Sequence, residues 1–382
     1  MTAALRSDAT ALDAVAALLA PDGGPAGPTR RYAVLPSPSR PRYLVPTAGR
    51  AGAGAHLRPG TGRRAAATRW AVRGALRLGA GRLLPGAVAV ADGTPGAPGL
   101  RRHLGTLVGR DEVEVAIALG GPRPNRKPVL QVLASDGRTL AWAKLGVDDH
   151  TDALVAHEAD ALARRPDPPV ATPEVLASGT WQGHPLLVLA HMDLVETTGP
   201  LDLTVAALAA VAGPASRAPA TGAWWEALRA RAAAGVDPDG AVAARLDALG
   251  ARLDGRTWPF GRWHGDLAPW NAAWDGDRLL VWDWERSEAP VPLGLDAVHN
   301  ELQVALLRDG VALEEAVRAA RRRVGPLLVG LGHDPDDVDL VVEAYLATLR
   351  VRYADDARLG PLGPGQPVAA ALDAAARKDP AR

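Results

Sequence analysis

Cysteine is absent from the 382 residues, which excludes disulfides, thiolate metal sites and a cysteine nucleophile. No run approaches the roughly eighteen uncharged apolar residues that a membrane-spanning helix needs. The N-terminal apolar stretch is interrupted by Asp8 and Asp13, which predicts no signal peptide and a cytoplasmic protein. Neither sign of charge is in excess, since 43 Lys plus Arg balance 43 Asp plus Glu. That balance gives no global reason to expect nucleic acid or an anionic membrane as a partner. Lysine and asparagine are scarce: Lys127, Lys144 and Lys378, and Asn125, Asn271 and Asn300. Such a chain, rich in Ala, Arg, Gly and Pro, reads as shaped by a GC-rich coding background. A Lys or Asn that persists against it becomes a candidate for required chemistry.

What is present is an ordinary apolar share of 47% with 23% charged residues, enough for two or three compact units. Residues 1–110 read as an N-terminal α/β domain of unassigned role. It has a helix near 9–20, short strands at 32–36 and 43–46, and a helix from about 62 to 80. That last helix is basic, with Arg63, Arg64, Arg69, Arg73 and Arg77, and is either a solvated face or a docking surface for something anionic. From about 111 the period changes to strands at 112–119, 128–134 and 139–145, with a hairpin signal at Asp136-Gly137. A helix near 150–164 and strands at 174–177 and 185–190 complete a small antiparallel sheet over 111–192. Residues 193–382 are largely helical, with patterns at 202–212, 222–234, 238–252, 295–307, 311–331, 335–355 and 365–378. One hairpin interrupts them, at 271–274 and 278–282.

That hairpin carries the main constellation, in His264–Glu285 (HGDLAPWNAAWDGDRLLVWDWE). A loop presents Asp266 and, five residues on, Asn271; the return strand ends at Asp283. Phosphoryl transfer asks a protein mainly for alignment and for neutralisation of phosphate charge. Mg²⁺ takes hard oxygen ligands, which an Asn carbonyl and an Asp carboxylate on adjacent strands supply. A second Asp on the loop accepts or orients the proton of an acceptor hydroxyl. Solvated turn acids would account for any one of these residues, but not for the whole pattern.

HGDLAPWN followed by VWDWE resembles the signature of the aminoglycoside phosphotransferase/choline kinase superfamily, over roughly 111–350. The resemblance implies a two-lobed, protein-kinase-like α+β fold and an ATP- and Mg²⁺-dependent kinase acting on a small-molecule hydroxyl. Asp266 matches the catalytic aspartate, Asn271 and Asp283 the metal ligands, His264 a structural loop histidine, and Asp296 an aspartate that braces the catalytic loop. Lys144, on the third strand, matches the lysine that contacts ATP phosphates. Glu158, rather than Asp160, matches its helix partner. Ala190 and Met192 fall where the family's linker meets adenine.

The chain departs from the family pattern in two places. Residues 120–127 (GGPRPNRK) are not GxGxxG. Gly120 and Gly121 offer backbone N–H groups to phosphate and Arg123, Arg126 and Lys127 offer charge, with a plain surface turn as the competing reading. Trp270 stands where aminoglycoside enzymes often carry Gly, which loosens the tie to that acceptor. Amino sugars, sugars and amino alcohols remain open, with Glu285, Glu288, Glu301, His299 and Asn300 as residues near the hairpin that could line a pocket. An inactive, nucleotide-binding regulatory protein is the alternative from another class. A protein kinase fits less well, because no activation segment with a phosphorylatable residue follows Asp283.

Overall fold

The computed structural model describes all residues except 1–6, 9, 21–26, 58–62, 85, 95, 194–200, 236–240 and 378–382. The described chain is α+β and divides into two units, 1–159 with 173–192, and 160–172 with 193–382.

The first unit is built on one antiparallel sheet of eight strands: β1 (Thr29–Ser37), β2 (Arg40–Pro46), β3 (Ala87–Ala91), β4 (Glu114–Ala118), β5 (Val129–Leu133), β6 (Thr139–Leu145), β7 (Val175–Trp181) and β8 (His184–Ala190). Their spatial order is β7-β8-β6-β5-β4-β2-β1-β3. Side chains alternate across a strand, so β4 sends Val115 and Ile117 to one face and Ala116 to the other. Val115 and Ile117 join Leu130, Val132, Ala141 and Ala143 in a core closed by helices α1 (Ala11–Leu19) and α3 (Leu100–Leu107). Ala116 joins Val45 and Leu133 in a second core, covered by Val72 and Leu76 of helix α2 (Arg63–Arg77). With both faces covered, even Gln131 of β5 is buried. Its side chain accepts from the His56 N–H at 2.7 Å and donates to Thr139 Oγ1 at 2.7 Å. Helix α4 (Asp149–Ala163) follows β6.

The expected five-stranded sheet is therefore part of a larger one. The sequence sets 1–110 apart as a domain, whereas in the structure β2 pairs with β4 through Tyr43↔Ala118 and Leu44↔Ile117. Val34, Leu44 and Leu130 belong to a single core. Strand β3 escapes prediction because Ala87–Ala91 (AVAVA) is uniformly apolar, with no apolar/polar alternation to set a period of two, and its three alanines dilute the strand preference of Val88 and Val90.

The second unit is mainly helical: α5 (Val205–Ala212), α6 (Ala223–Ala234), α7 (Ala241–Leu253), α8 (Leu295–Gln303), α9 (Leu313–Gly330), α10 (Val338–Leu359) and α11 (Gln366–Arg377). Thr204 caps α5 by accepting from the Ala207 N–H. The predicted helix at 295–307 is α8 followed by a π-helical turn, Val304–Arg308. Two small sheets interrupt the helices. Strand β9 (Thr257–Trp263) pairs with β12 (Glu288–Pro292), and the hairpin β10 (Ala272–Asp275) and β11 (Arg278–Val281) adds the short Val170–Ala171 strand in parallel. Among the described residues, no helix is long and apolar enough to cross a membrane.

Because β4 depends on β2 for one of its neighbours, removal of residues 1–110 bares both a strand edge and the apolar side chains beneath it. A fragment of residues 111–382 is expected to aggregate or to lose its cooperative thermal transition. A monodisperse fragment melting like the full chain would show that the sheet does not need its N-terminal strands.

Candidate active site

In the second unit, β9 delivers the chain into His264-Gly265-Asp266, and helix α8 starts beneath that loop. Asp296, in the first turn of α8, is buried. Its two carboxylate oxygens accept the backbone N–H groups of His264 at 2.7 Å and Gly265 at 3.0 Å. Burial pushes Asp296 up to about 6, and these two bonds limit the rise. The loop carbonyls are held too: Arg352 of α10 donates to Gly265 O at 2.5 Å. Gly265 sits at φ +82°, and a Cβ there would lie 2.1 Å from the Arg286 carbonyl oxygen, so the turn accepts only glycine.

His264 is fully buried against Trp284, with ring centroids 4.7 Å apart. Its partners define the tautomer: Nε2–H donates to Trp282 O at 3.0 Å, and Nδ1 accepts the Asp266 N–H at 3.2 Å. Burial holds the imidazole down at about 4, and the charges of Asp266 and Asp283 only partly offset this. This histidine is a neutral strut between the loop and the return strand.

Asp266 keeps 36% of its side-chain surface open, which a group that receives a proton from substrate needs. Burial raises its carboxyl, but the hydrogen bond from His299 and the charge of Arg352 outweigh it, so the net direction is downward. The carboxylate is thus ionised and reachable. Asn271 donates through Nδ2 to both Asp266 O at 2.9 Å and Asp266 Oδ2 at 2.8 Å. Both of its amide hydrogens are used, leaving Oδ1 as the acceptor directed elsewhere. Asn271 and Trp282 close the hairpin base, the Trp282 N–H donating to Asn271 O at 3.0 Å. Asp283 is the next residue, so strand pairing brings the backbones of the two candidate metal ligands to the same end of the hairpin. Asp283 lies at φ 69°, ψ 56°, a left-handed conformation shared among the described non-glycine residues only by Gln182 at φ 50°. Aspartate tolerates this region better than most residues, and such backbone strain clusters at functional sites. An Asn carbonyl oxygen and an Asp carboxylate are the hard donors that Mg²⁺ takes.

In the first unit, β6 is flanked by β5 and β8, and Lys144 pairs with Val129 and Leu187. It is buried on a strand paired on both sides, not exposed at a sheet edge. Its Nζ lies 2.7 Å and 2.6 Å from the two oxygens of Glu158 on α4, whose side chain is fully buried. Asp160 is exposed, so the acid beside the lysine is Glu158. Gly120, at φ +66°, opens the β4–β5 loop beside the exposed Arg123, and nothing lies within 4 Å of a Cβ built at Gly121. Arg126 turns the other way. It is buried, paired with Asp8 at 2.9 Å and bonded to Pro41 O at 3.0 Å, so its charge ties the loop to the N-terminal segment rather than serving phosphate. Ala190 ends β8 opposite Ala141, with its N–H already donated to Glu174 O at 2.8 Å; Met192 lies two residues beyond and is half-buried.

Of the residues considered as pocket lining, Glu288 pairs with Arg231 and Glu301 with Arg323, while Asn300 is buried and donates to Leu201 O at 3.1 Å. Glu285 is buried. His299 is different: its Nε2 lies 3.0 Å from Asp266 Oδ1 and its Nδ1 2.9 Å from the Tyr345 hydroxyl. Burial lowers its basicity despite the carboxylate beside it. The ring is therefore neutral, donating to Asp266 and accepting from Tyr345. Tyr345 and Arg352, seven residues apart on one face of α10, were not foreseen as site residues. Their link to the loop spans some eighty residues and no local pattern announces it. His299 alone carried a signal, lying three residues after Asp296 and so on the same face of α8.

No protein-family model matches the sequence, and no curated relative matches it at a significant level. Solved structures resembling it include the aminoglycoside phosphotransferase APH(4)-Ia with ADP and hygromycin B, at 14% identity and TM-score 0.47, covering 73% of this chain and 98% of that one. A type I macrolide 2′-phosphotransferase matches at 17% identity and TM-score 0.43, covering 72% and 96%. A choline/ethanolamine kinase family protein from Mesorhizobium loti matches at 15% and 0.40, covering 71% and 89%. These likenesses are distant, each under 20% identity.

The neutral His264 has a consequence for stability. Between its ordinary value of 6.5 and its folded value of about 4, the unfolded chain binds a proton that the folded one refuses. Stability therefore falls on acidification by up to ~1.4 kcal/mol per pH unit from this residue. Asp296, raised from 3.8 to about 6, works in the opposite sense between those values. His264→Gln, which keeps a donor for Trp282 O but cannot titrate, is expected to gain stability relative to the wild type in urea unfolding as pH falls across this window, because only the His264 contribution is removed. Parallel curves for the two proteins would show that His264 titrates normally in the fold.

Proposed function

We propose that this protein is an ATP- and Mg²⁺-dependent phosphotransferase acting on a hydroxyl of a small molecule. The observation that carries the reading is the base of the β10–β11 hairpin. It offers one ionised, accessible carboxylate at Asp266, with Asn271 and Asp283 brought by strand pairing to the same end of the hairpin. A merely structural cluster would not leave its central acid open while its neighbours are braced from two helices and a strand.

Asp266 Oδ1 and Oδ2 already accept from His299 and Asn271, so the carboxylate is held in one orientation. Each oxygen keeps a further lone pair for an incoming hydroxyl. The acceptor's O–H donates to Asp266, its oxygen attacks the γ-phosphorus, the bond to the ADP oxygen breaks, and the proton passes to the carboxylate. Mg²⁺ held by Asn271 Oδ1 and Asp283 would neutralise phosphate charge. To Lys144, with Glu158 fixing its ammonium, we assign the ATP phosphates. Gly120 and Gly121 present backbone N–H groups to them, and the linker at Ala190 and Met192 takes adenine. Since the Ala190 N–H is spent within the sheet, that last contact falls to the Ala190 carbonyl and the backbone after it. The acceptor is an amino sugar, sugar or amino alcohol.

Asp283→Ala is expected to abolish Mg·ATP binding in calorimetry, whereas Asp266→Asn keeps binding and loses at least ~100-fold in transfer. Wild-type binding by Asp283→Ala would overturn the metal assignment. A wild-type protein that binds Mg·ATP but turns over no hydroxylated acceptor would identify a nucleotide-binding regulator instead.

His299 acts through Asp266, as a positioning residue. His299→Leu is expected to lower kcat by about tenfold to a hundredfold, the worth of a hydrogen bond to a charged group, with the KM for ATP little changed. His299→Gln, which restores an N–H donor at similar reach, recovers part of the loss. Equal losses in both variants would assign His299 to packing alone.

A further inference from the structure

The zero net charge conceals a strong segregation. Residues 23–91 carry 12 arginines and no Asp or Glu, whereas all 43 acids lie in the rest of the chain. A GC-rich coding background explains arginine in place of lysine. It does not explain a stretch of 69 residues without an acid, since the same chain uses Asp and Glu freely elsewhere.

Helix α2 lies in this stretch and meets the sheet through Val72 and Leu76, both buried. From Trp70 onward, its other side and the turn after it face outward. Trp70 is 69% exposed, Leu78 83% and Leu83 84%, and Arg77 and Arg82 are exposed among them. These three residues head the large apolar side chains left exposed among the described residues; the others, Leu176, Leu307 and Val329, are at most 42% exposed. A tryptophan and two leucines standing out from a basic surface are costly in water and need an explanation. The site assigned above does not use them.

We propose that α2 and the turn through Leu83 form a peripheral docking surface for an anionic phospholipid bilayer. Arginines meet the headgroup phosphates, Trp70 sits at the interfacial level, and Leu78 and Leu83 enter the acyl boundary. Nucleic acid would satisfy the arginines, and a base could stack on Trp70, but neither has a use for two nearly fully exposed leucines. Hydrocarbon does. The surface lies wholly within the first unit and is independent of the phosphotransfer reading. It also requires no spanning helix.

Flotation of the full chain with vesicles tests this directly. The expected result is capture by vesicles containing phosphatidylglycerol, weakened by salt, and none by pure phosphatidylcholine. Leu78→Asp with Leu83→Asp, and separately Arg77→Glu with Arg82→Glu, should each weaken capture by on the order of tenfold or more. All four positions are exposed, so the melting temperature should stay unchanged and exclude misfolding as the cause. Equal capture by neutral and anionic vesicles, or capture indifferent to the leucine pair, would overturn the proposal. So would tight binding of a labelled oligonucleotide with no vesicle capture, which would assign the surface to nucleic acid.

Discussion

Two hydrogen bonds from a loop backbone to one buried carboxylate organise the candidate site. Asp296 takes the N–H groups of His264 and Gly265 and so determines where the chain turns after β9. Because Asp296 opens α8, the same helix that braces the loop also presents His299 to Asp266 one turn later. Arg352 secures the next carbonyl from α10, and Tyr345 on the same helix fixes the His299 tautomer. A buried acid raised to about 6 is expensive to keep ionised, and the expense is offset only while both backbone donors point at it. The loop and its brace therefore stand or fall together.

The chemistry of this site is local in sequence, which is why so much of it was legible. Asp266, Asn271 and Asp283 fall within eighteen residues, and a hairpin of that length brings its ends together by pairing alone. Lys144 and Glu158 were readable for a similar reason: a strand and the helix after it, separated by fourteen positions. His264 bridges the loop and the return strand through its two ring nitrogens. Most helices followed from periodicity, with ends shifting by a few residues where caps and turns decide them, and the fold class from the resemblance carried by the hairpin motif.

What was not legible depends on contacts between distant segments. The sheet continues from β4 to β2 because of pairing across more than seventy residues, and alternation within each strand says nothing about which strand lies beside it. Arg126 looked like a phosphate ligand because composition shows its charge and not its direction; Asp8, over a hundred residues earlier, takes that charge. Tyr345 and Arg352 were hidden inside a helix whose pattern reads as ordinary packing. A balanced total likewise conceals a separation of sign along the chain, since a sum has no positions in it.

The β10–β11 hairpin has one further consequence. Its base is rigidly specified, with Asn271, Trp282 and Asp283 placed by the ladder, whereas its tip, Asp275-Gly276-Asp277, is exposed. Information about the positions of Asn271 and Asp283, the proposed metal ligands, thus enters from one end of the element only. Residues added at the tip lengthen a solvent loop at small entropic cost and leave the register below untouched. The same hairpin that is intolerant of change at its root is a natural point of insertion at its crown, where a reporter or a new recognition loop can be grafted without moving the ligands.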